Sequence, residues 1–302
     1  MTESHSICTR EVTVAAVQMY CNRTCEENII AADRLVREAV SAGAQIVLLP
    51  ELFEHWYFCQ EKNYESYALA TQTGENKAVN HFSQLAKELE IVIPVSFFER
   101  AGNTTFNSVA VIDADGKILG VYRKTHIPDD HFYQEKFYFT PGDTGFKVWD
   151  TRYGRIGIGI CWDQWFPEAA RCMALSGAEI LLYPTAIGSE PILLNDSMPH
   201  WRRCMQGHAA ANIVPVIAAN RVGKETVHPS ENNNHQNSDL VFYGSSFITD
   251  ETGEVAEELN RTDEKFILHT FNLEENEKMR LSWGVFRDRR PETYGIISEP
   301  SR

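Results

Sequence analysis

A thiol sits in the segment Arg155-Ile-Gly-Ile-Gly-Ile-Cys161-Trp-Asp-Gln-Trp-Phe-Pro-Glu-Ala-Ala-Arg at a place where it could act as a nucleophile. Isoleucines at 156, 158 and 160 alternate as in a strand, and Gly157 and Gly159 allow close backbone approach. Pro167 followed by EAARCMAL opens a helical pattern. Cys161 therefore falls at the C-terminal end of a strand just before a helix, where backbone N–H groups and the helix dipole favour a thiolate. A free cysteine is also commonly a small buried hydrophobe, and for Cys161 taken alone the two roles weigh about evenly. Cys172 and Cys204 lie inside helical patterns and read as packing residues, and Cys8, Cys21, Cys25 and Cys59 have no comparable placement.

A thiol nucleophile needs a base and a group to hold the oxyanion. Glu51 follows the apolar run Leu48-Leu-Pro, an expensive place for a carboxylate unless it points into a polar site. Burial there would raise its pKa towards that of a useful general base, although an exposed loop carboxylate is the commoner case. Lys124, in Val121-Tyr-Arg-Lys-Thr-His-Ile-Pro-Asp, ends the second strand of a hairpin pattern. It could lower the thiol pKa and hold a tetrahedral oxyanion, and by itself it would read as a surface lysine.

The elements that must carry these residues repeat along the chain. A strand over Val12–Gln18, a helix over Glu26–Ser41 stopped by Gly43, and a short apolar strand from Ile46 give a strand–helix–parallel strand unit. Ala42-Gly-Ala-Gln-Ile-Val-Leu-Leu-Pro aligns without a gap on Ser176-Gly-Ala-Glu-Ile-Leu-Leu-Tyr-Pro. Further on, Glu90-Ile-Val-Ile-Pro-Val aligns on Asn212-Ile-Val-Pro-Val with one residue missing, and Ser108–Gly116 on Ser246–Gly253, each ending at a turn glycine. Two pseudo-equivalent halves, each a sheet with helices on its outer face, predict an α/β fold in the form of a four-layer α-β-β-α sandwich, one domain over residues 1–302. The polar stretch His228–Ser238 reads as a surface loop. The tail from about 283 to 302, with its basic run RDRRPETY, is expected to dock at a subunit interface.

Composition narrows the class of partner. The 302 residues carry 28 Lys+Arg against 42 Asp+Glu, a net charge of −14, which disfavours nucleic acids and anionic membranes. The start MTESHSICTREV lacks the pattern of a secretory signal, and no apolar run approaches the ~20 residues of a membrane span. Seven scattered cysteines without a CxxC pair argue against a disulfide framework or zinc ribbon. A cytoplasmic protein is expected.

Taken in order, Glu51 after LLP, Lys124 in YRKTHIP and Cys161 in GICWDQWFPE match the Glu-Lys-Cys triad of the nitrilase superfamily, which the chain resembles over nearly its whole length. The resemblance implies attack of the cysteine on a nitrile, amide or carbamoyl carbon, and a thioester-like intermediate resolved by water. In its terms Glu51 moves protons, Lys124 and the backbone N–H of Trp162 stabilise the oxyanion, and Glu135 supports the lysine and positions substrate. It also implies the duplicated sandwich, no cofactor, and homo-oligomers that start from dimers and extend to octamers.

Within the superfamily, the motifs ELFE-x-x-YFCQ, IPVSFFE, EKFYF-x-PGDTGFKV, CWDQWFPEAAR, YPTAIGSEP, MQGHA and WGVFRDRRP resemble those of one amidohydrolase branch. That resemblance implies hydrolysis of N-carbamoylputrescine to putrescine, ammonia and CO2, a step of polyamine synthesis. Asp129 and Glu190 are then expected to hold the distal ammonium, and Tyr57 and Trp162 to line the pocket. Gln164 and Trp165 stand where branches acting on N-carbamoyl amino acids tend to carry carboxylate-pairing arginines, so a small cationic carbamoyl-amine is favoured. Asp130-His131-Phe132 replaces an expected Gly-rich stretch. The alternatives within the class are N-carbamoyl-β-alanine or an ω-amide. Outside it stand a non-catalytic binding protein on the same fold, and a metalloenzyme using His126, Asp129, Asp130 and His131, whose spacing matches no established zinc motif.

Overall fold

Alternation along the strands decides which of three cores each side chain enters. The computed structural model describes residues 10–189 and 196–300. In β1 (Glu11–Gln18), Val12, Val14 and Ala16 point to one side and Ala15 and Val17 to the other, and none is more than 4% exposed. Both faces are therefore covered, as a central strand of an α/β fold requires.

The Ala15–Val17 side packs against α1 (Cys25–Ser41) and, after β2 (Ile46–Leu48), α2 (Lys77–Leu89), through Ala32, Val36, Ala39, Val79, Phe82 and Ala86. Thr24 starts α1 by accepting from the Glu27 N–H, and Asn76 starts α2 by accepting from the Val79 N–H. The first half continues with β3 (Ile93–Ala101), β4 (Thr104–Ile112) and β5 (Ile118–Arg123). The second half holds β6 (Val148–Thr151), β7 (Gly154–Ile158), α3 (Pro167–Leu175), β8 (Ile180–Thr185), α4 (Met198–Asn212) and β9 (Val216–Asn220). A hairpin of β10 (Val222–Val227) and β11 (Ser238–Tyr243) follows, then β12 (Phe247–Thr249), β13 (Val255–Glu258), β14 (Lys265–Asn272) and α5 (Leu273–Trp283).

The second-half sheet runs β13-β12-β9-β8-β7-β6. The first half runs β14-β1-β2 and β3-β4-β5, joined by the parallel bridge Ile46–Val92. Ile156, Ile158, Ile160, Ile180, Leu182 and Ile217 meet the Val12–Val14–Ala16 side of β1 between the two sheets. Leu181, Tyr183, Val216 and Ala218 face Met173, Trp201, Met205 and Ala209 of α3 and α4 outside. Three cores between four layers make the α-β-β-α sandwich expected from the repeats. Among the described residues no helix is long and apolar enough to cross a membrane.

The repeat reaches individual hydrogen bonds. Val47 N–H donates to Val92 O and Leu181 N–H to Pro215 O, both at 3.0 Å. Glu90 (φ 53°) and Ile213 (φ 50°) each close a helix in the left-handed conformation, bonding Ala86 O and Ala209 O. These caps pair Glu90 with Ile213, not Asn212, and remove the gap that letter matching needs: cap geometry fixes the register, while similar apolar letters do not.

The hairpin turns correspond as well, with Gly116 N–H on Asp113 O and Gly253 N–H on Asp250 O. Both glycines have positive φ (82° and 90°), and a Cβ on either would come 2.6 Å from a helix carbonyl, Ser83 O or Gln206 O. Gly102 also has positive φ (61°) but has open space around it. Gly116→Ala and Gly253→Ala should therefore each cost at least about 2 kcal/mol, and Gly102→Ala about 1 kcal/mol. Urea melts of the three variants check this, and equal losses at Gly102 and Gly116 would refute the close-approach explanation.

Candidate active site

Parallel strands of both halves end on the same side of the sandwich, and the chemistry-bearing residues emerge there. Glu51 lies just past β2, Lys124 directly after β5 and Cys161 just past β7. The two halves touch at this edge, where Glu51 N–H donates to Thr185 O at the end of β8 (3.3 Å). Glu135 arrives on a short 3₁₀ turn, Glu135–Phe137.

Glu51, Lys124 and Glu135 are completely buried. Lys124 Nζ donates to Glu51 Oε1 (2.8 Å) and Glu135 Oε2 (2.7 Å). Glu135 Oε1 accepts from the Tyr57 hydroxyl (2.7 Å), so both its oxygens are engaged. Glu51 differs: Oε1 also accepts from Asn107 Nδ2 (2.6 Å), while the buried Oε2 has no hydrogen-bond partner among the described residues. One carboxylate is thus saturated and fixed, and the other keeps an open acceptor. An acceptor of that kind can take a proton.

Burial alone would strip the proton from Lys124, but the carboxylates of Glu135 and Glu51 outweigh it and hold the ammonium above its ordinary pKa. Burial pushes Glu135 up to about 7 against the opposing pull of Lys124. Burial also pushes Tyr57 far above the usual phenol range, with the Glu135 charge adding to it, so its hydroxyl stays a donor.

Cys161 begins a five-residue 3₁₀ turn (Cys161–Trp165) in a left-handed conformation, φ 41°. Its Sγ lies 3.8 Å from Ala186 O. The thiolate anticipated from a helix N-terminus is not what the geometry gives. Helix α3 begins only at Pro167, and burial, followed by the negative charge of Glu51, pushes the thiol well above its ordinary value. Lys124 pulls the other way but does not win, because two carboxylates share it. Burial and the neighbouring carboxylates thus favour the thiol over the thiolate in the resting site. Trp162 N–H belongs to the first turn, where no intrahelical acceptor exists, and so can serve an oxyanion.

The turn is tied to the lysine segment by Asp163. This buried carboxylate accepts from Ile160 N–H (2.9 Å), the Tyr122 hydroxyl (2.6 Å) and His126 N–H (2.9 Å). Tyr122 and His126 flank Lys124 on either side, so one side chain sets nucleophile and lysine relative to each other.

Cys161, Trp162, Trp165, Ala186, Ile187 and Ser197 line a cavity of about 130 Å³ together with Pro128, Asp129, Asp130 and Tyr133. Asp129 and Asp130 are exposed at its wall, and among the described residues neither has a cationic partner. They also border a wider polar vestibule of about 450 Å³, which adds Lys62, His131 and several amides.

The structure thus brings Glu51, Lys124, Glu135 and Cys161 together and places Trp162 and Asp129 on the cavity. Tyr57 is not on the cavity wall: it is fully buried behind Glu135, its ring against Phe242 and Tyr133. Glu190 lies outside the described residues. His126 bonds Asp163 and stacks on Phe166, and among the described residues no group of three or more His, Cys, Asp and Glu side chains converges as a metal site. Trp165, read from the sequence as standing where a carboxylate-pairing arginine is absent, lines the cavity, while sequence reasoning missed Asn107, Asp163 and Arg221. Arg221 carried a usable signal, a charge directly after an apolar strand as at Glu51, whereas Asn107 and Asp163 carried none.

A family model for carbon-nitrogen hydrolases matches residues 13–281. The chain is 55% identical to the N-carbamoylputrescine amidase of Oryza sativa subsp. japonica, covering 95% of this chain and 94% of that one. It is 52% identical to the citrullinase of Francisella tularensis, covering 95% and 98%. Among solved structures it is similar to carbon-nitrogen hydrolase from Helicobacter pylori G27, with TM-score 0.88 and 37% identity over 97% of this chain and 100% of that chain.

A protonated Cys161 has a direct readout. Iodoacetamide labelling of Cys161, resolved from the other cysteines by peptide mass, should rise about tenfold per pH unit from pH 7 to 9. A rate that is already flat over that range would mean a standing thiolate.

Proposed function

The chain belongs to the carbon-nitrogen hydrolase family, the nitrilase superfamily, and from that membership we propose that it hydrolyses N-carbamoylputrescine to putrescine, CO2 and ammonia through Cys161. The observation that carries the mechanism is the open Oε2 of Glu51 in a cluster whose other acceptors are filled. Glu51 takes the Cys161 proton as sulfur attacks the carbamoyl carbon, and Lys124 Nζ and Trp162 N–H hold the oxyanion. Glu51 returns the proton to the departing nitrogen, draws one from the water that opens the S-acyl intermediate, and passes it to the Cys161 sulfur as the C–S bond breaks. The carbamic acid released then splits into CO2 and the remaining amine. Glu135 takes no proton in these steps. It anchors Lys124 and is itself anchored by Tyr57.

Substrate charge follows from the cavity wall. Among the described residues Asp129 and Asp130 have no cationic partner, and they share a cavity wall with Trp162 and Trp165, a setting that suits a terminal ammonium. N-Carbamoyl-β-alanine would bring a carboxylate to those carboxylates, and a neutral ω-amide would leave them without a partner. The 55% identity to a plant N-carbamoylputrescine amidase supports the same choice.

A second reading has its own support. Citrulline is the same carbamoylated amine with a carboxylate beside the terminal ammonium, and Lys62 and His131 in the vestibule could receive that carboxylate. A relative 52% identical is named citrullinase.

The six described cysteines are all free, which suits the reducing cytoplasm proposed for the protein. The proposed subunit interface of a homo-oligomer includes the tail from about 283 onward, where Trp283, Ile296 and Ile297 are 71%, 60% and 60% exposed. Light scattering should give at least a dimeric mass that falls when the chain is cut after Gly284. A monomer at full length would refute the interface.

Steady-state comparison of N-carbamoylputrescine, citrulline, N-carbamoyl-β-alanine and a neutral ω-amide tests the substrate. The first should have the highest kcat/KM, Cys161→Ser should be inactive on all, and Asp129→Asn should raise KM for cationic substrates selectively. Preference for N-carbamoyl-β-alanine would overturn the charge argument.

A further inference from the structure

The backbone that carries Glu51 leaves the strand ladder at once. Leu52 adopts a left-handed conformation (φ 48°), unusual for a branched side chain. The carbonyls of Glu51, Leu52 and His55 then turn into the interior, where a carbonyl without a donor is costly. All three are met by one side chain from the other half of the molecule. Arg221 Nη2 donates to Glu51 O (2.8 Å) and Leu52 O (3.0 Å), and Nη1 donates to His55 O (3.3 Å) and Glu225 Oε1 (2.9 Å).

Arg221 is completely buried, its guanidinium carbon 5.5 Å from the Tyr57 ring centroid and 5.1 Å from that of Phe242. Its main chain is held where the halves meet: Arg221 bridges to Met19 just past β1, and Gly244 N–H donates to Arg221 O. The pair extends further. Glu225 Oε2 accepts from Tyr57 N–H (2.6 Å), and Tyr57 is the residue whose hydroxyl fixes Glu135. A single buried ion pair therefore reaches the backbone of one carboxylate of the Lys124 cluster and the anchor of the other.

We propose that Arg221, through Glu225, is a positioning residue that sets the separation of Glu51 and Glu135 around Lys124 and so aims the open oxygen of Glu51 at Cys161. The proposal rests on the role given to Glu51 above. It explains why an arginine stands here: a planar fork can meet three carbonyls and a carboxylate at once, and an ammonium cannot. Lysine at 221 keeps the charge and loses the fork, so charge and geometry can be separated.

The test is steady-state kinetics on N-carbamoylputrescine for Arg221→Lys and Glu225→Gln beside Glu51→Gln, each at matched folded fraction by circular dichroism and with Cys161 counted by active-site alkylation. A misaimed base costs on the order of 100-fold. Arg221→Lys should lose about that factor in kcat per titrated site, with KM within about threefold of wild type because the cavity wall is untouched. Glu225→Gln, which keeps shape and frees the fork from its counter-charge, should lose about tenfold in kcat and move the acid limb of the kcat/KM profile. Arg221→Lys with wild-type kcat per titrated site and a superimposable pH profile would overturn the proposal, whatever its melting temperature. An active Glu51→Gln would instead overturn the reading of Glu51, so the two failures are distinct.

Discussion

An ammonium buried between two carboxylates constrains everything around it. With both carboxylates ionised, Lys124, Glu51 and Glu135 leave one net negative charge fully inside the protein, and the rise of Glu135 to about 7 reflects that cost. Such a group is tolerated only when nearly every lone pair and proton is satisfied. Asn107, Tyr57 and, at one remove, the Arg221–Glu225 pair supply those partners. Among the described residues the carboxylate oxygen left without a partner in the Lys124 cluster is Glu51 Oε2, while Asn107 Oδ1 and Arg221 Nε are open further out. An open carboxylate oxygen whose charge acts on the Cys161 thiol is where a proton can go, and the two glutamates take different parts although their chemical type is the same.

That cluster cannot be built from one half of the chain. Glu51, Asn107, Lys124 and Glu135 come from the first half and the segment after it, Cys161 and Arg221 from the second. Each half supplies strands that end on the same side, and the shared core of Val14, Ala16, Leu48, Ile158 and Leu182 fixes one sheet on the other. The duplication therefore places two sets of strand ends against each other without a long loop. What reaches the cluster from each end differs, because the residues after the strands have diverged while the caps and hairpins have not.

The parts legible in the sequence are those with a short-range signature. Apolar runs identify β1, β2 and β8, alternating isoleucines identify β7, and Gly43 with its repeat counterpart Gly177 marks the helix-to-strand junctions. Glu51 and Cys161 show as polar residues at the ends of apolar runs, and the triad resemblance links them to Lys124. Partnership across the fold leaves no such mark. Asn107 is one more polar residue inside an apolar strand, and Asp163 is one acid in a loop-like stretch, yet each bonds across the site. Tyr57 shows the converse: its motif placed it near the substrate, but whether an aromatic ring faces a cavity or backs a carboxylate depends on neighbours such as Phe242, nearly two hundred residues away. The thiol state is equally invisible in the sequence, since desolvation and the sharing of one lysine between two acids are properties of the assembled site.

These charges also explain why the sulfur keeps its proton. A standing thiolate would be a further negative charge in a cluster that already carries one, with its lone cation divided between two carboxylates. Moving the proton from Cys161 to Glu51 leaves the total unchanged, and attack on an acyl carbon carries the new negative charge out to an oxygen that Lys124 and Trp162 N–H can meet. Ionisation is therefore favourable only when an electrophile is present to receive it. The same excess of negative charge continues outward through Asp129 and Asp130. A cationic amine lowers that potential as it enters and an anion raises it, so the charge that holds the nucleophile in reserve is also the charge that selects the substrate.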